Sequence, residues 1–303
     1  MITLADIQKY GNLNLLAKKA VEGFITGLHK SPYNGFSVEF AEHKQYGFGD
    51  SIKNIDWKVY SRTEKLFTKR YEEETNLRCH ILIDTSPSMS FPIETKGKLS
   101  FSLFSAAALG HLLQQQKDAF GIYLFDEKIT YATEVKSTKT HLNNIITVLN
   151  KTLDKPIQTS SNTKTHLAST ITQIARTIHK RSLVILFSDM FNNVESTEEI
   201  FKSLQHLKHG KHEVILFHTL DKASELELDL ENRPYEFTDL ETGEKIKLNP
   251  QHLKNDYKDI INKSLHQLKL KCAQYKIDFI EVDINKGVYP ILSSYLIKRK
   301  KMR

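Results

Sequence analysis

The sequence predicts an α/β protein with a mostly parallel central sheet and helices on both faces. Apolar runs typical of buried strands alternate along the chain with segments whose apolar residues recur at helical spacing. This alternation indicates a parallel sheet, because each crossover between parallel strands needs a dozen or more residues, usually a helix. With 303 residues the chain is long enough for a substantial core, in one large domain or in a medium domain with an appendage.

The first part of the chain contains three successive sequence patterns. Apolar residues at helical spacing between residues 5 and 28 predict one or two helices. From 34 to 70 glycines stand close to aromatic and charged residues, which indicates tight turns and short strands, and 67–71 has the pattern of a strand. We therefore predict two parts, an N-terminal region over residues 1–75 and an α/β domain over residues 76–303.

The α/β domain begins with an apolar strand at 79–83. Residues 98–116 predict a helix whose apolar side chains cover one face of the sheet. Strand 120–125 is followed after only three residues by strand 129–135, so these two strands should pair antiparallel, since a parallel crossover does not fit. Residues 142–149 are predicted to be helical.

The second half of this domain continues the alternation, and its signals include a capping box at 196–199, a hairpin turn at 241–243 and a proline at position 250 suited to a first helical turn. The predicted elements are a helix opened by Thr165 or His166, strand 183–187, a helix from 196 to about 207, strand 214–220, a hairpin over 235–248, a helix from 249 through 268, and strand 277–282 before the basic end of the chain.

Oxygen-bearing side chains follow two of these strands. Asp84, Ser86 and Ser88 come at alternate positions after the first, and Asp189 follows strand 183–187. The carboxyl ends of parallel strands meet at one edge of a sheet, together with the loop before a neighbouring helix, which carries Thr163. Hard cations such as Mg²⁺ prefer oxygen ligands of this kind. Asp and Ser are also ordinary turn formers, so a simple turn is the alternative for the first triplet.

This set resembles the metal-ion-dependent adhesion site of von Willebrand factor A-type domains, which is Asp-x-Ser-x-Ser, a later threonine and a later aspartate. The resemblance implies a von Willebrand factor A-like fold for residues 76–303 and a site for Mg²⁺ or Mn²⁺ that can accept a carboxylate from a partner protein. Its implied ligands are Asp84, Ser86, Ser88, Thr163 and Asp189, with Thr165 as the competing choice for the threonine.

The stretch before that domain contains a series of polar, glycine and aromatic residues in a fixed order, namely Glu42, Tyr46, Gly49, Asp50, Ile55, Asp56, Trp57, Arg62 and Thr63. In these residues it resembles the family known as domain of unknown function 58. The resemblance implies an adaptor or chaperone-like protein whose partner is a MoxR-class AAA+ ATPase or its client. Lys44, Lys53 and Ser61 depart from the family pattern, and we expect Trp57 to pack in a core. Ile55 is also expected to pack, and Asp50 and Asp56 to cap turns.

The expected function is thus a metal-dependent protein-binding module. One alternative is a degenerate A-type domain that binds partners without metal, in which Ser86, Ser88 and Thr163 only cap helices and turns. A metal-dependent hydrolase is the other alternative. The sequence has neither a Gly-x-Ser-x-Gly elbow nor a phosphate-binding Gly-x-x-x-x-Gly-Lys loop, and no motif places a histidine as base, so we do not expect an enzyme.

Composition excludes several other classes. The hydrophobic fraction of 40% and the charged fraction of 26% are ordinary for a globular protein. The net charge is +7, yet no nucleic-acid-binding module accompanies it, so specific nucleic-acid binding is not expected. Cys79 and Cys272 form no spacing motif and are expected to be buried thiols. No apolar run reaches the ~18 residues of a membrane span. No signal peptide is visible either, so a cytoplasmic location is the expectation.

Overall fold

A computed structural model describes residues 12–29, 43–47, 57–69, 77–156, 167–179, 181–190, 197–240 and 243–302. The chain divides into two compact units, a smaller one of Ile25–Asn76 and a larger one of Met1–Phe24 with Leu77–Arg303. The predicted boundary at residues 75 and 76 stays a prediction. Predicted features at 5–11, 34–42, 48–56 and 157–166 lie outside the described residues.

Helix α1 spans Leu13–His29, and Asn12 caps it by accepting the Leu15 N–H at 3.1 Å. Most of its apolar residues up to Phe24 lie at helical spacing and are buried in the larger unit, as the sequence pattern predicts, whereas Leu15 is 49% exposed. The ring of Phe24 lies 5.5 Å from that of Tyr289. The start of α1 is therefore part of the larger core.

The smaller unit contains strand β1 (His43–Gln45), helix α2 (Trp57–Thr63) and strand β2 (Phe67–Lys69), and β1 pairs antiparallel with β2. Trp57 begins α2, keeps 59% of its surface exposed, and meets the Tyr60 ring edge-on at 6.0 Å. The prediction that Trp57 packs in a core is therefore wrong, because the described ring that it meets, Tyr60, is itself 40% exposed and does not cover it.

The strands of the larger unit are β3 (Arg78–Asp84), β4 (Ala119–Phe125), β5 (Ile129–Ala132), β6 (Leu183–Ser188), β7 (Glu213–Leu220), β8 (Tyr235–Thr238), β9 (Lys245–Leu248) and β10 (Asp278–Asp283). Six of them form one sheet with the order β10–β7–β6–β3–β4–β5. All neighbouring strands in it are parallel except β4 and β5, which pair antiparallel as the short connection between them predicts. A separate hairpin joins β8 and β9.

Helices cover both faces of this sheet. They are α3 (Gly97–Gln115), α4 (Lys139–Asp154), α5 (Leu167–Thr177), α6 (Thr197–His209), α7 (Pro250–Gln274) and α8 (Tyr289–Met302). Leu82, Leu186 and Leu216 belong to a cluster with residues of α5, α6 and the end of α7. Their neighbours along each strand point to the opposite face, where α3 packs against β3, β4 and β7.

The structure corrects the predicted elements at four places. Helix α4 spans Lys139–Asp154 and is thus longer than the predicted 142–149. Strand β5 ends at Ala132 instead of 135, after which only an isolated bridge joins Lys136 to Phe120. Helix α7 continues to Gln274, and the sequence analysis missed α8 altogether. Cys79 and Cys272 are buried free thiols, as predicted. Within the described residues, no helix has the length and apolar content needed to cross a bilayer.

Candidate functional site

The candidate site lies at the carboxyl edge of the sheet, where β3 ends. Ile81, Leu82 and Ile83 are fully buried, and Asp84 is the last residue of the strand, with 3% of its surface exposed. Both the backbone N–H and the hydroxyl of Thr85 donate to the Phe125 carbonyl, which fixes the chain as it leaves the sheet. A 3₁₀ turn over Pro87–Ser90 follows. The apolar strand therefore holds a nearly dry carboxylate at its rim.

Two donors hold the Asp84 carboxylate. The backbone N–H of Ser86 donates to Oδ1 at 2.9 Å, and the Ser188 hydroxyl donates to Oδ2 at 2.8 Å. Ser188 is the last residue of β6, beside β3 in the sheet, and its hydroxyl also accepts the Met190 N–H at 2.9 Å. Ser188 was not among the predicted site residues. Its position in the sequence does indicate a place in the site, since it stands at the end of a predicted buried strand immediately before Asp189.

The two serines of the triplet continue this cluster to the second aspartate. Ser86 Oγ and Ser88 Oγ are 3.1 Å apart, and Ser88 Oγ donates to Asp189 Oδ1 at 3.3 Å. The structure thus brings Asp84, Ser86, Ser88 and Asp189 together. The remaining predicted ligand, Thr163, lies outside the described residues, as does its competitor Thr165.

Lys98 is a second residue of the site that was not predicted from the sequence. It is 1% exposed at the start of α3, and its ammonium lies 2.7 Å from Asp189 Oδ2 and 2.6 Å from Glu225 Oε1. A signal existed in the sequence: Lys98 stands three residues before Phe101, on the apolar face of the predicted helix, where a buried ammonium requires a carboxylate partner. No sequence pattern indicates that Glu225, in the segment after β7, is one of the two partners.

Burial is the largest single cause acting on the pKa of each shifted group in this cluster. Burial raises the pKa of Asp84 to about 6, the charge of Asp189 adds to the increase, and the hydrogen bonds from Ser86 and Ser188 oppose it. Burial also raises the pKa of Glu225, against the attraction of Lys98. Although burial lowers it, the two carboxylates bring the pKa of Lys98 above its ordinary value. Nearby His218 is neutral at pH 7, because burial lowers its pKa to about 4.

The donor set fits a hard divalent cation. With Asp84, Asp189, Glu225 and Lys98 all ionised, three carboxylates and one ammonium leave a formal charge of −2. Oδ1 of Asp84 accepts a hydrogen bond from the Ser86 N–H, and Oδ2 accepts one from the Ser188 hydroxyl. Each of these carboxylate oxygens has a further lone pair that can coordinate a cation. Across the described ranges no three His, Cys, Asp or Glu side chains are placed to hold a metal ion together, so a cation here would also need the serine hydroxyls.

Comparison with known families gives one match over most of the chain. The family described as "Protein of unknown function DUF58" matches residues 42–267. The uncharacterized protein Rv1480 of Mycobacterium tuberculosis is 27% identical over 100 residues, which are 33% of this chain and 32% of that protein. The uncharacterized protein Mb1516 of Mycobacterium bovis matches with the same figures. This chain therefore spans about a third of the length of these curated relatives.

Two solved structures are distant likenesses. One is the conserved hypothetical protein BatB from Bacteroides thetaiotaomicron, with a TM-score of 0.45 and 13% identity over 74% of this chain and 99% of that chain. The other is an aerotolerance-related membrane protein from Bacteroides fragilis, with a TM-score of 0.41 and 14% identity over 73% of this chain and 99% of that chain.

Proposed function

We propose, from the premise that this chain belongs to the DUF58 family, that it is a metal-dependent protein-binding module with a von Willebrand factor A-like domain. The observation that carries the proposal is the group of oxygen donors at the carboxyl edge of β3 and β6, in which Asp84, Ser86 and Asp189 are buried and Ser88 is half-buried. Two carboxylates and two hydroxyls from distant parts of the chain meet there, in an environment whose formal charge of −2 matches a divalent cation.

The residues of the site have distinct roles in this proposal. Asp84 and Asp189 would hold Mg²⁺ or Mn²⁺ through charge, Ser86 and Ser88 through hydroxyl oxygens, and Thr163 is the further predicted ligand. A bound ion would supply a positive centre that accepts a carboxylate from a partner protein. Ser188 keeps Asp84 oriented by its 2.8 Å hydrogen bond, and Lys98 restrains the opposite oxygen of Asp189.

The partner is part of the same proposal. The resemblance of the Gly-Asp and Ile-Asp-Trp motifs makes a MoxR-class AAA+ ATPase, or its client, the first candidate. A partner that presents an Asp or Glu side chain would form a charge-assisted contact at the site, and the surrounding loops would select among such partners.

A metal-free binding module is the second candidate function, and Lys98 favours it. The Lys98 ammonium already lies 2.7 Å from Asp189, so one of the two predicted aspartate ligands has a cation beside it. In this alternative the serine hydroxyls serve only the hydrogen bonds that join the loop after β3 to Asp189. The two candidates differ in their response to divalent metal.

Thermal unfolding of the full chain with Mg²⁺ and with chelator distinguishes the metal-dependent module from the metal-free module. A ligand that binds only the folded protein adds about 2.7 kcal/mol of stability at a hundredfold excess over its dissociation constant. We expect Mg²⁺ to raise the unfolding midpoint of the wild type and to leave Asp84→Ala unmoved, since this substitution removes a carboxylate ligand.

The control is Asp259→Ala, which removes an exposed carboxylate from α7 and should keep the full response to Mg²⁺. A wild-type midpoint that is the same with Mg²⁺ and with chelator would reject the metal-dependent function and favour the metal-free module. Equal responses in the wild type and Asp84→Ala would place the metal elsewhere.

A further inference from the structure

The two oxygens of Asp189 face different partners. Oδ1 accepts the hydroxyl of Ser88, on the side of the proposed metal ligands. Oδ2 accepts the ammonium of Lys98 at 2.7 Å. The side chains of Lys98 and Asp189 are each only 1% exposed, so water screens this contact little. A fixed positive charge therefore lies just behind one of the proposed ligands.

Glu225 is a second carboxylate that pairs with the Lys98 ammonium. Its Oε1 lies 2.6 Å from Lys98 Nζ, and its side chain is 14% exposed. Its Oε2 accepts the Asp221 N–H at 2.7 Å, and its backbone carbonyl accepts the Tyr257 hydroxyl at 2.9 Å. Glu225 is thus held from both ends, in a π-helical turn over Lys222–Leu226. Among the described residues the ammonium is shared between two carboxylates, Asp189 and Glu225, and Asp189 is the one that belongs to the proposed site.

We infer that the Lys98–Glu225 pair sets the divalent-cation affinity of the site by fixing its charge, an inference that rests on the proposed function. With Glu225 ionised, the ammonium is balanced by a carboxylate outside the ligand set, and Asp84 and Asp189 keep their charge of −2 for the cation. Lys98 and Glu225 are positioning residues in this scheme. Lys98 holds Asp189, Glu225 holds Lys98, and neither contributes a ligand atom.

The formal charge of the cluster of Asp84, Asp189, Glu225 and Lys98 predicts a different cation affinity for each variant of the pair. Loss of the Glu225 charge leaves the ammonium to neutralise Asp189, so the cluster falls to −1 and attracts a divalent cation less. Loss of the Lys98 charge alone raises the cluster to −3 but leaves two buried carboxylates without their ammonium, which endangers the fold. Removing both charges restores −2. A pair with a purely structural role would show no such recovery.

The test is a calorimetric titration of the full chain with Mg²⁺. Glu225→Gln keeps an oxygen for the Asp221 N–H and removes the charge, and we expect its dissociation constant to rise on the order of tenfold, as for one unit charge removed close to a divalent ion. The double variant Lys98→Met/Glu225→Gln should return to within about threefold of the wild-type dissociation constant. Thermal unfolding in chelator establishes that each variant is folded before the titration.

The matched control is another lysine between two carboxylates. Lys298 lies 2.7 Å from Glu213 and 2.9 Å from Asp278, and these carboxylates begin β7 and β10, at the opposite edge of the sheet. Lys298→Met/Glu213→Gln should leave the Mg²⁺ dissociation constant unchanged.

The outcomes distinguish the inference from the function on which it rests. If the wild type takes up no Mg²⁺, both are overturned. If the wild type binds Mg²⁺ but Glu225→Gln binds it equally well, only the role of the pair is overturned. The role of the pair is also overturned if the folded double variant binds Mg²⁺ as weakly as Glu225→Gln does. Recovery in the double variant, with the control unchanged, supports charge balance by Lys98 and Glu225.

Discussion

His80 is a neutral histidine in the core of β3, with 4% of its surface exposed. Burial lowers its pKa to about 4, and the nearby positive charges of His212, His179 and Arg78 lower it further. The unfolded chain, with an ordinary histidine pKa near 6.5, therefore binds more protons between pH 6.5 and pH 4. The contribution of His80 to stability is complete above pH 6.5 and is lost as the pH falls towards 4.

His80→Leu should remove this acid sensitivity. Among the described residues neither ring nitrogen of His80 has a hydrogen-bond partner, so an apolar side chain of similar size costs little at pH 8. At pH 5 we expect the variant to exceed the wild type in free energy of unfolding by about 2 kcal/mol. Urea unfolding at the two pH values measures the difference. His266→Leu, at an exposed position on α7, is the control and should not change the pH dependence. An equal loss of stability at both pH values would contradict the expectation.

The residues of the candidate site were predictable to different degrees. Asp84 and Asp189 follow apolar runs, and parallel pairing brings the ends of such strands to one edge, so a pattern along the chain was enough to bring them together. Lys98 and Glu225 are 127 positions apart, and they meet because the start of α3 packs beside the segment after β7. No local periodicity encodes that contact. It depends on how a helix lies on the assembled sheet.

The start of α3 is closely packed against the loop that precedes it. A methyl group on Gly97 would lie 2.6 Å from Pro92 Cδ and 3.2 Å from the Phe91 carbonyl oxygen. Alanine normally favours a helix, but here the added group must displace the turn or the helix. We expect Gly97→Ala to lower the free energy of unfolding by about 1–3 kcal/mol, the usual cost of overpacking. Chemical denaturation measures it.

Gly27 provides the matched control for this substitution. It also lies in a helix, α1, but a methyl group there would meet nothing within 4 Å in the part of the chain that the structure describes, apart from its own helix backbone. Gly27→Ala should therefore be neutral or gain up to about 1 kcal/mol from helix propensity alone. If the two alanine variants changed stability alike, close packing at Gly97 would not be the cause.

The elements show where sequence patterns suffice. The central strands were found within a residue or two, because a continuous apolar run bounded by polar residues has few alternatives. Helix α8 was missed, although its buried residues Ile291, Leu292, Tyr295 and Leu296 recur at helical spacing. The basic run at its end masked that pattern. Trp57 was misjudged for another reason, since a large aromatic residue indicates burial only when a neighbouring element is there to cover it.

Stability should be unevenly distributed over the larger unit. The residues of β6 are all buried, between β3 and β7, whereas the β8–β9 hairpin stands apart from the main sheet with mostly exposed side chains. Amides in central strands open only with the global unfolding of the domain. We therefore expect hydrogen exchange, followed by mass spectrometry, to be slowest in peptides from β3, β6 and β7 and fastest in those from β8 and β9. Equal protection of the hairpin would show that it unfolds with the core.

The separation of the cluster along the chain has a consequence during protein synthesis. Ser88 leaves the ribosome 101 positions before Asp189, and Lys98 leaves 127 positions before Glu225. A nascent chain that stops before Glu225 has the ammonium without its second counter-ion, and one that stops before β6 lacks Asp189, one of the two proposed carboxylate ligands. Because the complete set of charges exists only after β3, β6 and β7 have joined, a cation bound there would stabilise finished sheets and leave incomplete chains to the cell's quality control.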